Sequence, residues 1–115
     1  MPTPKDNNER TSLLQGTLDL LILKSLQNEP MHGFGVAVRI GQMSQDMLTV
    51  EQGSLYPALE RLQRNGWVTG KWGKSLTGRR ARYYTITNSG RRRLGQEIAG
   101  LERVYLAITR VLKPA

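Results

Sequence analysis

A chain of 115 residues is enough for one domain with a modest core, and part of its stability is expected from self-association. It has no cysteine, which excludes a disulfide frame, thiolate chemistry and cysteine-based zinc sites. Its most apolar run, Leu18 to Leu23, is far too short to span a bilayer, and residues 1–11 carry no apolar stretch of the signal-peptide kind, so a soluble cytoplasmic protein is expected.

The net charge of +8, from 17 basic and 9 acidic residues, is confined to one part of the chain. Between Glu51 and Arg93 stand ten basic residues and two acidic ones, and the rest of the chain is balanced. Such a block suits a polyanion, nucleic acid before an anionic membrane. Catalysis has little to work with. The single histidine, His32, follows Pro30 and reads as a structural cap, the acids are scattered, and no glycine-rich phosphate loop is present. No metal, cofactor or enzymatic activity is expected.

In chain order, residues 1–11 read as a disordered tail. Leu13 to Leu26 follows the helical period but is apolar on more than one side, which suits either a central core helix or one shared with a second subunit. Pro30 breaks the pattern, and a second helix is expected over about Gly33 to Ser44, with Phe34, Ala37 and Ile40 inward. Met47 to Val50 reads as an extended connector, one strand at most. A third helix runs from about Gly53 to Asn65, with Ser54 as its cap and Leu55, Leu59 and Leu62 inward. Counted from that cap, Pro57 falls where no intrahelical amide bond is lost. Its outward face carries Pro57, Arg61 and Arg64, flanked by Ser54 and Tyr56.

Trp67 to Gly73 and Arg80 to Thr87 read as strands of a hairpin with a basic tip. A last helix, about Ser89 to Leu112, places Leu94, Ile98, Leu101, Tyr105, Ile108 and Leu112 at spacings of 4, 3, 4, 3 and 4, a seam suited to lengthwise packing on another helix. Three helices, a basic hairpin and a further helix make an α+β, mainly α chain. The order is that of a winged helix-turn-helix with an added C-terminal dimerisation helix, its boundaries near residues 12–88 and 89–115.

The residues also resemble a family. Leu14-Gln15-Gly16-Thr17-Leu18-Asp19, His32-Gly33-Phe34-Gly35, Gly53-Ser54-Leu55-Tyr56-Pro57-Ala58-Leu59, Gly66-Trp67, Trp72, Arg79-Arg80-Ala81-Arg82-Tyr83-Tyr84 and Thr87-Asn88-Ser89-Gly90 are similar, as an ordered set, to the PadR family of bacterial transcriptional regulators, in its short form with a single C-terminal helix. The resemblance implies a homodimer, usually a repressor, joined by the last helix with help from the first. It also implies that some members take planar aromatic effectors at the dimer interface, where Leu14, Leu18 and Tyr105 could line a space. Phe34 stands where a tyrosine is common, which removes a hydroxyl.

The expected contacts to double-stranded DNA are Ser54, Tyr56, Pro57, Arg61 and Arg64 on the third helix and Lys74, Arg79, Arg80 and Arg82 on the hairpin. The plainer alternative makes Ser54 a cap, Tyr56 a packing residue and the arginines a solvated face. Strand alternation puts Arg80 and Arg82 on one face. Arg91, Arg92 and Arg93 oppose the dipole of the last helix and fit either DNA contact or a tolerated surface run. Trp67 and Trp72 are expected to pack the hairpin on the helices. The dimer interface is expected at Leu14, Leu18, Leu94, Ile98, Leu101, Tyr105, Ile108 and Leu112. The competing reading is a winged-helix module that binds RNA or a protein.

Overall fold

The computed structural model of the chain describes residues 16–113. The expected tail at residues 1–11 and the expected interface residue Leu14 lie outside them. Residues 16–25 are helical (α1), and Leu20, Ile22, Leu23 and Leu26 are buried within the one chain, which accounts for most of the surplus of apolar positions in this stretch.

Pro30 disfavours the helical region for Glu29 and so ends the first helical stretch, and Met31–His32 then forms a two-residue strand (β1). No periodicity announces so short a strand, and the extended segment expected at Met47 to Val50 is instead an irregular connector. The second helix follows at Gly33–Met43 (α2), with His32 as its N-cap: the imidazole Nδ1 accepts the Gly35 amide at 3.0 Å. Val36 and Ile40 point inward, while Phe34 faces outward and stacks on His32, contrary to its expected place in the core. One helical step separates Phe34 from the stripe of Gly33, Val36 and Ile40 that meets the core.

The third helix, Gln52–Arg64 (α3), buries Leu55, Ala58, Leu59 and Leu62 and stops at Asn65 and Gly66, whose φ of 76° suits glycine. Val68–Lys74 (β2) and Arg80–Ile86 (β3) make the hairpin, and β1 adds to the free edge of β3, giving an antiparallel sheet in the order β1-β3-β2. The last helix is Asn88–Leu112 (α4), and the Thr87 hydroxyl caps it by accepting the Gly90 amide at 2.9 Å.

Core residues of α1, α2, α3, β2, β3 and the start of α4 form one cluster. Leu94 is 2 % exposed inside that cluster and Ile98 packs at its edge. Beyond Ile98, α4 runs for about 20 Å at 1.5 Å per residue with Leu101, Val104, Tyr105, Ile108, Val111 and Leu112 exposed.

Candidate nucleic-acid interface

The cross-strand register sorts the hairpin into two faces. Val68 pairs with Ile86, Gly70 with Tyr84, Trp72 with Arg82 and Lys74 with Arg80, so the seven side chains of these eight residues share one side of the sheet, with Gly70 leaving a gap. At the base Val68, Ile86 and Tyr84 are buried against the helices, whereas toward the tip the same face leaves the core and becomes Trp72, Arg82, Lys74 and Arg80. The tip, residues 75–79, closes through Ser75 and Gly78: the Ser75 amide donates to the Arg79 carbonyl at 2.8 Å, and Gly78 takes a φ of 82°.

Trp72 does not pack the hairpin onto the helices as expected. It is 53 % exposed and has two guanidiniums over its ring, Arg80 Cζ at 4.8 Å from the ring centre and Arg82 Cζ at 5.7 Å. Arg82 also lies across Gly70: a Cβ placed there would come within 2.5 Å of its Nε. Burial pushes the Tyr84 hydroxyl above the usual phenol range, the nearby Arg82 guanidinium opposes that shift, and Tyr56 and Glu60 add to it. Tyr56 and Glu60 of α3 are thus within electrostatic reach of Tyr84 on the wing. Among the described residues, Arg64, Lys71, Lys74, Arg79 and Arg80 make no ion pair.

On α3 the structure redistributes the expected contacts. Glu51 is the N-cap, without a side-chain bond, and its carbonyl takes the Leu55 amide at 2.9 Å, so Ser54 is no cap and sits exposed in the first turn. Pro57 is consequently the sixth helical residue rather than the third, and the amide bond that position would give to the Gly53 carbonyl is missing. Both residues are exposed. The Tyr56 ring lies against Gly33 at the start of α2 and is 44 % exposed, so packing and accessibility coexist there. Arg64 is exposed.

Arg61 is turned to another use. Its guanidinium grips the Asp19 carboxylate of α1 with two bonds, Nη2 to Oδ1 at 2.7 Å and Nε to Oδ2 at 3.3 Å, with side-chain exposures of 33 % and 23 %. The sequence places these partners 42 residues apart, so only the fold brings them together.

A model of the transcriptional regulator PadR-like family matches residues 22–96. The chain belongs to the PadR-like family. A transcriptional regulator from Clostridium thermocellum superposes with a TM-score of 0.80 at 24 % identity, over 89 % of this chain and 99 % of that one. A PadR family transcriptional regulator from Eggerthella lenta gives 0.77 at 23 %, over 95 % and 93 %. A PadR-like transcriptional regulator from Bacillus cereus gives 0.74 at 25 %, over 90 % and 99 %. These likenesses carry the PadR winged-helix fold, and the family is one of DNA-binding regulators rather than enzymes. No helix among the described residues is long and apolar enough to cross a membrane, and no cluster of histidines and acids there could hold a metal.

Within this PadR-like frame, two of the three arginines opening α4 serve the fold. Arg91 donates to the Gln27 carbonyl just past α1 at 2.8 Å. Arg93 stacks on Trp67 at 4.7 Å and pairs with Glu97 at 2.6 Å. Trp67 thus packs the wing base against α4, and Arg92 alone is exposed and unpaired. The seam expected for a dimer divides likewise. Leu94 belongs to the chain's own core, which corrects its place in the interface, and Leu18 and Ile98 pack against that core from its rim. Leu101, Tyr105, Ile108 and Leu112 are exposed, Tyr105 at 72 %.

Proposed function

We propose that the protein is a homodimeric, sequence-specific DNA-binding regulator of the cytoplasm, a repressor, on a pseudo-palindromic operator. α3 enters the major groove, with Ser54, Tyr56, Pro57 and Arg64 on the side that meets DNA. The wing, with Lys74, Arg79, Arg80 and Arg82, lies along the backbone or in the minor groove. The single observation that carries this reading is the face of the hairpin on which Trp72, Arg82, Lys74 and Arg80 continue outward from Tyr84. Cations grouped there without an ion pair among the described residues are relieved by phosphates. Arg61 supports the reading indirectly by tying α3 to α1.

The exposed apolar residues of α4 past Ile98 support self-association with a second copy, and the family resemblance supports repression. A planar aromatic effector at that interface, near Leu18 and Tyr105, belongs to the same proposal. Binding should be measured by anisotropy on duplex DNA drawn from upstream of the protein's own gene, with a structured RNA alongside. With about eight phosphates neutralised per dimer, log affinity falls against log salt with a slope near −7. A slope near zero, or preference for the RNA, would overturn the reading.

A further inference from the structure

We infer that Glu60 is a specificity-determining residue whose carboxylate accepts a hydrogen bond from the exocyclic amine of a cytosine in each operator half-site. The inference rests on the proposed reading of α3 and deepens it. Gly53, Pro57, Glu60 and Arg64 recur at the helical spacing along the side of α3 opposite the buried Leu55, Ala58, Leu59 and Leu62, so Glu60 lies mid-row on the outward face. It is the only acid between Glu51 and Glu97, inside the basic block.

Its surroundings offer cations it does not use. Arg64 is one turn ahead, where an i,i+4 pair is available, and Arg61 is adjacent, yet Arg61 is committed to Asp19 and Glu60 makes no ion pair or hydrogen bond among the described residues. Its exposed place between Pro57 and Arg64 sets the carboxylate on the side of α3 proposed to meet DNA. A carboxylate held there is repelled by phosphates and has only acceptors to offer. In the major groove the donor it matches is the cytosine N4 amine. It therefore favours one base pair and penalises sites that present acceptors instead.

The test is selection of bound duplexes from a randomised library by the full chain, its Glu60→Ala variant and its Glu60→Gln variant. The expected wild-type consensus contains a C·G pair at one symmetric position of each half-site. E60A should lose roughly 5- to 150-fold of the discrimination at that pair, the range for one good side-chain-to-base contact, while keeping the rest of the consensus. E60Q should move the preference toward A·T, because glutamine both donates to and accepts from adenine. Unfolding midpoints should match wild type, since Glu60 has no partner to lose. Return of the wild-type consensus by both variants overturns the inference with the proposed function intact. Failure of the wild-type protein to enrich any sequence overturns both.

Discussion

Arg82 lies over the Trp72 ring and fills the space that the missing Gly70 side chain leaves. Arg82→Ala should therefore weaken binding to all duplexes about equally and lower the salt slope by about one per protomer, as loss of a phosphate contact does. A titration in which discrimination between sequences collapses while the slope stays fixed would assign Arg82 to a base instead. Arg61 makes the opposite case. Asp19→Ala and Arg61→Ala should each cost about 1–2 kcal/mol of stability, held down by partial solvent screening. In a denaturant double-mutant cycle the pair should couple by at least about 0.5 kcal/mol. Alternation along a strand made the shared face of Arg80 and Arg82 legible from the sequence, because the period of two is local. The commitment of Arg61 was not legible, because its partner stands 42 residues away and both types are common on surfaces.

Among the elements, the wing is the one whose sequence reads most directly. Its β-branched and aromatic residues, the glycine at the tip and the basic run all sit where the hairpin needs them. β1 was hidden, since two residues cannot display a period and their pairing depends on the exposed edge of β3. The cap of α3 lies three residues before Ser54, because a serine looks like a cap wherever it stands, while here the backbone carbonyl of Glu51 begins the helix. Gly70 yields a prediction that belongs to the wing as a unit. The atoms nearest a methyl group there belong to the far end of the Arg82 side chain, which can swing aside. Gly70→Ala should change stability by no more than about 0.5 kcal/mol, as a change away from the core does, yet weaken DNA binding comparably to loss of Arg82. Equal losses of stability and binding, measured by thermal melting and anisotropy, would show instead that the strand itself is deformed.

At the scale of the whole molecule, α4 has two halves with different jobs. Its first turns are held to the body by Gly90 against the Trp67 carbonyl, by Arg91 on the Gln27 carbonyl and by Leu94 in the core. The second half projects apolar residues that the described part of the chain leaves half or more exposed. The even spacing of leucines and isoleucines along the helix could not distinguish these halves, because the same residue types serve a core and an interface. Leu101→Glu together with Ile108→Glu should leave the fold intact and yield monomers by sedimentation at micromolar concentration. Operator affinity should fall, and the salt slope should drop to about half of the dimer's. In the dimer, half-sites should fall about 34 Å apart, one helical turn, which footprinting can measure.

The chain's two tryptophans also divide the molecule optically. Trp67 lies half-buried beneath Arg93 where the wing meets α4, and Trp72 is half exposed beside Arg80 and Arg82 on the face proposed for DNA. One indole emits from the joint and the other from the contact. A polar quencher reaches Trp72 in the free protein, and duplex DNA on that face would shield it while Trp67 reports the joint. The unlabelled protein thus carries two separate reporters, and Trp72→Phe leaves the one at the joint to be read alone.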